Sequence, residues 1–166
     1  MQSYQKRAPY VLDFLADLAR KYKRRFMVRL IKGAYWDYEI KTAQIEGLEN
    51  YPVFTKKSYT DISYLACATK ILNCGNYIYP QFATHNAHTI AALEQLAGNK
   101  KFEFQLLFGM GNKIHQKMLK EYPCRIYAPI GKYKELLPYL IRRLIENSAN
   151  SSFVHLVGNE NLDINQ

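Results

Sequence analysis

The chain has 166 residues, 48% of them hydrophobic, which is one domain's length with enough apolar material for a packed core and excludes global disorder. A formal net charge of +9 would suit nucleic acid, a membrane surface or an anionic ligand. The basic residues gather as Lys21, Lys23, Arg24 and Arg25, or as Lys100 and Lys101, where loops or helix ends are expected, so a solvated face is the plainer reading and no nucleic acid partner is expected.

In chain order, Pro9 to Lys21 places Val11, Leu12, Leu15, Leu18 and Ala19 at helical spacing, which predicts a helix packed on a sheet. Phe26, Met27, Val28, Leu30 and Ile31 then form a short apolar run interrupted by Arg29, the pattern of a strand buried on both faces of a parallel sheet. The run ends at Lys32-Gly33-Ala34, with Tyr35 and Trp36 at its lip. A charge inside a buried strand and two large aromatics at its end are costly unless they meet a ligand there. Asp37 to Gly47 predicts a helix and Leu48 to Lys57 a loop. Thr60, Asp61 and Ser63 read as caps of the next helix, which carries Leu65, Ala66, Ala68, Ile71 and Leu72.

A second strand spans Tyr77 to Ala83 and ends on Thr84-His85-Asn86, with Ala87 to Ala97 helical after it. The third spans Phe102 to Phe108, ended by Gly109-Met110-Gly111, followed by a short helix from about Lys113 to Glu121. The fourth spans Cys124 to Ala128, ended by Pro129-Ile130-Gly131, and the last helix runs from Lys134 to Asn147. After Val157 the chain turns polar, so residues 1–157 are expected to form the folded unit and 158–166 a tail.

Cys67, Cys74 and Cys124 are odd in number, lack ligand spacing and sit in apolar surroundings, which reads as reduced core thiols of a cytosolic protein. No stretch reaches the roughly 18 uninterrupted apolar residues of a membrane span. His85 and His88 stand three apart without the further ligands a metal needs, so no metal site is expected.

Strands alternating with helices demand parallel pairing, because successive strands pointing the same way need a crossover. An open doubly wound sheet and a (β/α)8 barrel both satisfy this, and both bind ligands at the carboxyl ends of their strands. Gly109-Met110-Gly111 lacks the third glycine of a dinucleotide fingerprint. Four βα units are half of what a barrel needs, which points to a half-barrel.

The blocks R-L-I-K-G-A-Y-W-D-Y-E-I-K, Y-P-Q-F-A-T-H-N-A-H-T, F-E-F-Q-L-L-F-G-M-G, C-R-I-Y-A-P-I-G and Y-L-I-R-R-L-I-E-N-S-A-N-S-S-F-V resemble, in order, those of the proline dehydrogenase domain of the bacterial bifunctional proline utilization A family. The resemblance implies a distorted (β/α)8 flavin barrel of which these are strands five to eight, with FAD as cofactor and L-proline as substrate. It further implies a quinone as electron acceptor and an aldehyde dehydrogenase module in the parent protein. The location implied is the cytoplasm, with peripheral docking at the inner face of the plasma membrane.

Residue by residue, the resemblance implies that Arg29 contacts the flavin, where its charge would stabilise the negative charge that develops on hydride transfer. Ile31, Gly33, Ala34, Trp36, Thr55, Lys57, Thr84, His85 and Asn86 are implied as further cofactor contacts, and Gln105, polar within an apolar strand, is expected to hydrogen-bond inside the barrel or to the flavin. Arg142 and Arg143 would hold the carboxylate of proline, oriented by Glu146 one turn along; planar guanidinium forks suit bidentate capture of that group. Tyr35, Leu107 and Tyr127 would wall the proline ring. Without the family, Arg-Arg-x-x-Glu reads as a solvated salt-bridge face and the aromatics as ordinary core or rim. Phe108, Asn112 and Ser148 depart from the family pattern, and the crossover from Gly111 to Cys124 is short for it. The family's substrate lysine and its earlier flavin-binding strands have no counterpart, so a non-catalytic α/β module remains the alternative.

Overall fold

The computed structural model describes residues 1–110 and 112–148. The expected boundary between residues 157 and 158, and the tail beyond it, lie outside the described residues, as does the side chain of Glu146. The first helix, α1 (Ala8–Tyr22), carries Pro9 in its first turn, where a missing N–H costs nothing. It ends where Lys23 adopts a left-handed backbone and the Arg24 N–H reaches back to the Ala19 carbonyl. Its buried stripe is Ala8, Leu12, Ala16 and Ala19, the small residues letting it sit close to the layer beneath.

Four strands follow, β1 (Phe26–Leu30), β2 (Ile78–Ala83), β3 (Glu103–Leu107) and β4 (Cys124–Tyr127), paired in parallel in the order β1-β2-β3-β4. The crossovers are α2 (Trp36–Ile45) with α3 (Lys57–Leu72), then α4 (Ala87–Ala97), then α5 (Asn112–Glu121); α6 (Tyr133–Ser148) comes last. This is the parallel α/β alternation expected from the sequence. No described helix is long and apolar enough to cross a membrane.

Alternation along the strands sorts their side chains onto two faces. On one, Val28, Leu30, Ile78, Phe82, Phe104 and Leu106 pack with Leu12, Tyr64, Cys67, Ile71, Ile90 and Leu93 of the helices into the core. The other face carries Met27, Arg29, Gln81, Glu103, Gln105, Leu107, Arg125 and Tyr127, placed side by side by the registers Arg29 to Gln81, Gln81 to Glu103, Gln105 to Arg125 and Leu107 to Tyr127. The expectation that the first strand is buried on both faces is corrected here: Met27 is 62% exposed and Arg29 half-buried, whereas β3 is buried throughout. The arginine inside the apolar run marks a polar face, and only the core face of β1 is dry.

The sheet is curled toward that polar face. In a flat sheet, three strand spacings across and four residues along would set Arg29 and Tyr127 about 19 Å apart. Yet the Arg29 guanidinium lies 4.7 Å from the centre of the Tyr127 ring. An arginine side chain closes that span only if the strands bend so that both residues point into one concavity.

Two features were not foreseen. Residues 1–5 line the edge of β1, with N–H bonds from Ser3 to the Ile31 carbonyl (2.8 Å), Tyr4 to Lys32 (2.9 Å) and Ile31 to Met1 (2.9 Å). Thr60, Asp61 and Ser63 do not cap α3, which begins three residues earlier and has Lys56 at its N-cap. Ser63 Oγ donates to the Ser3 carbonyl at 2.8 Å, and Asp61 pairs with Lys32 and Lys57. Residues that favour caps serve here to tie the N-terminal segment and the end of β1 to α3.

Candidate active site at the carboxyl ends of the strands

Arg29 is set from both sides of its strand. Its carbonyl accepts from the Met1 nitrogen at 2.6 Å, and its side chain stacks across the concavity on Tyr127. Its buried Nε has no hydrogen-bond partner among the described residues. A buried guanidinium N–H is expensive to leave unmatched, so this donor fits an acceptor supplied by a ligand. The N/O-rich ring of a flavin meets that requirement.

Level with Arg29 in register and two strands along, Glu103 is buried and accepts at Oε1 from Gln81 Nε2 (2.8 Å), Gln105 Nε2 (3.0 Å) and Arg125 Nε (2.9 Å). Burial alone would push its carboxyl group up. The bonds from Arg125, Gln105 and Gln81 outweigh burial and hold it below the ordinary carboxylate range.

The lip of the site is the exit of β1. Gly33 has φ of 141°, and a Cβ built there would stand 2.4 Å from the Tyr4 ring. Tyr4 is buried, and its hydroxyl donates to Glu39 Oε1 at 3.3 Å. Burial, reinforced by Glu39, pushes the phenol up to about 12. The Ala34 N–H points to Gln2 Oε1 at 3.4 Å. Trp36 Nε1 donates to the Phe54 carbonyl at 2.8 Å, and Phe54 N–H to the Tyr4 carbonyl at 2.8 Å, so the segment before Thr55 is seated on this lip. Above it, the Arg142 guanidinium of α6 lies 5.3 Å from the centre of the Tyr35 ring.

At the exit of β2, Asn86 caps α4: its Oδ1 accepts from the Thr89 N–H at 2.9 Å and from the Thr89 hydroxyl at 3.1 Å. Thr84 is buried, and its hydroxyl accepts from the Asn86 N–H at 3.2 Å. An eleven-residue helix starting here turns its partial positive charge toward the mouth, a setting that suits phosphate oxygens.

Of the candidate residues, the fold joins Arg29 to Tyr127 and Arg142 to Tyr35, one cation from the first strand and one from the last helix. Leu107 is buried in register with Tyr127. Arg143 is half-buried and stacks 5.5 Å from the Tyr139 ring on its own helix. Ile31 takes part through its backbone, bonded to the N-terminal segment. Thr55 and Lys57 are exposed, and Lys57 faces Asp61 at 3.4 Å. His85 is half-buried. No group of three or more metal-ligating side chains gathers among the described residues. Sequence reasoning missed Tyr4, Gln2, Glu103 and Arg125. The charge of Glu103 within the apolar F-E-F-Q-L-L run was the one available signal.

A curled parallel sheet with arginines and aromatics converging at the carboxyl ends of its strands defines an α/β protein whose mouth lies where such folds place their ligands. The sequence model of the proline dehydrogenase family matches residues 1–156. The chain belongs to that family. It is 55% identical to the bifunctional protein PutA of Klebsiella aerogenes over all of its own length and 14% of that protein's. It is 36% identical to proline dehydrogenase 2 of Bacillus subtilis, covering 76% of this chain and 39% of that one. A crystal structure of Bradyrhizobium japonicum proline utilization A superposes with a TM-score of 0.85 at 53% identity, covering 93% of this chain and 16% of that one. The chain thus spans about one seventh of the bifunctional relatives it matches.

Proposed function

We propose that the four strands are strands five to eight of a distorted (β/α)8 flavin barrel, and that the protein acts in the oxidation of L-proline to 1-pyrroline-5-carboxylate. The other βα units and an aldehyde dehydrogenase module would belong to a longer polypeptide, a reading that the relatives' bifunctional character supports. The observation that carries the reading is the convergence of Arg29 and Arg142, from opposite ends of the described fold, on aromatic rings at one mouth.

FAD, when bound, supplies the acceptor for a hydride from the ring carbon next to the proline nitrogen, with electrons passing on to a quinone. Arg29 then places fixed positive charge where negative charge develops, inside a concavity that shields it from water. Ile31, Gly33, Ala34, Trp36, Thr55, Lys57, Thr84, His85, Asn86 and Gln105 line the cofactor. Arg142 and Arg143 grip the substrate carboxylate, and Tyr35, Leu107 and Tyr127 hold the ring against the acceptor. The basic surface suits peripheral docking at an anionic bilayer from the cytoplasmic side.

The test replaces the matching segment of the Klebsiella aerogenes protein with this chain, loads FAD and adds L-proline without oxygen. The flavin absorbance should bleach, and Arg29→Met should slow bleaching by about 100-fold with the far-ultraviolet circular dichroism unchanged. A soluble, cooperatively melting chimera that holds FAD and never bleaches would leave the non-catalytic reading in its place.

A further inference from the structure

We infer that Glu103 is a positioning residue: it fixes the orientation of the Gln105 amide, with its nitrogen on the carboxylate and its carbonyl oxygen left to accept on the concave face, so that the site takes a ligand edge bearing an N–H. The inference rests on the reading that a flavin occupies that face, and it follows from what a carboxylate can do. An ionised carboxylate has no donor, so each amide that meets it must present its nitrogen. Gln105 and Gln81 both do so, at 3.0 and 2.8 Å to the same oxygen. Arg125 completes the set with Nε on Oε1 at 2.9 Å and Nη2 on Oε2 at 3.3 Å. Because Arg125 cannot lose its charge, it keeps Glu103 ionised and the orientation of the amides fixed.

Gln105 stands two residues nearer the carboxyl ends of the strands than Glu103, so its amide reaches back along β3. The nitrogen keeps one further N–H, and the acceptor left for a ligand is the carbonyl oxygen. A free glutamine could offer either end of its amide and would accept donors and acceptors alike. One held in this way discriminates, because a ligand edge with acceptors alone would leave two oxygens opposed. The isoalloxazine ring carries an imide N–H between two carbonyls, and the carbonyl of Gln105 suits that donor.

Two measurements test this. In the cofactor-free full chain with nitrogen-15-labelled glutamine, the Gln105 side-chain N–H signals should exchange slowly with solvent. The isosteric Glu103→Gln should move them and speed their exchange by about tenfold or more, since an amide at 103 can meet Gln105 with either end. In the chimera described above, Glu103→Gln and Gln105→Leu should each weaken FAD binding by about tenfold and shift the visible spectrum of the bound flavin. Their combination should bind no more weakly than Gln105→Leu alone, because Glu103 acts through Gln105. Losses that multiply, or a Gln105 signal indifferent to Glu103→Gln, overturn the inference. A folded parent chimera that does not bind FAD counts instead against the flavin reading, while the cofactor-free measurement still decides whether Glu103 holds Gln105.

Discussion

Gly33 shows how a single residue at the mouth is constrained from behind. A substituent there would collide with the Tyr4 ring 2.4 Å away, in a backbone conformation that side chains rarely adopt. Gly33→Ala should therefore destabilise the fold by about 1–3 kcal/mol in denaturant unfolding. Tyr4→Leu, made in the same background, should recover part of that loss because a smaller side chain gives way; strict additivity of the two changes would mean that the ring is not the obstacle. Sequence reasoning gave Gly33 a reason to be small, namely closeness to a ligand, but the neighbour on its Cβ side comes from residue 4. Nothing local to K-G-A-Y-W announces a partner 29 positions earlier. Glu103 was hidden for a related reason: a charge in a buried strand signals a partner, yet its amide and guanidinium partners are assembled by strand register.

At the scale of elements, alternation of helical and strand periods was enough to find all four strands and their crossovers, since burial on a sheet imposes those periods directly. The starts of helices were less legible. Thr60, Asp61 and Ser63 have the chemistry of caps, and tertiary contacts with Ser3, Lys32 and Lys57 took them instead. Asn86 caps α4, a role beside the cofactor contact that the resemblance implies for it. The two roles separate by measurement. Asn86→Ala should lower stability by about 1 kcal/mol in thermal unfolding, and Asn86→Asp should retain most of it, because either oxygen can accept from Thr89. Equal melting of all three proteins would show that the cap carries no weight.

The molecule as a whole presents apolar surface that its own core does not cover. Tyr10 and Phe14 on α1 are 75% and 63% exposed, and Ile130 before α6 and Tyr133 at its start are 98% and 74% exposed. Scattered apolar residues are ordinary on a surface, whereas neighbours one turn apart on a helix make a patch. Sedimentation of the isolated chain should reveal concentration-dependent species heavier than the 19.4 kDa monomer, and Phe14→Glu should shift them toward monomer without lowering the melting temperature. A single monomeric boundary at every concentration would show that the patch is inert. Parallel architecture was legible from composition and alternation. The half-barrel reading implied a curled sheet; the stacking of Arg29 on Tyr127 across its outermost strands was not legible, because register and curvature together assemble it.

The chain has one tryptophan, and its indole N–H holds the segment before Thr55 against the lip of β1. That makes Trp36 a built-in optical gauge. Its emission colour and quenching report, without any label, whether that segment is docked or released, so loop order can be followed in real time as solution conditions change.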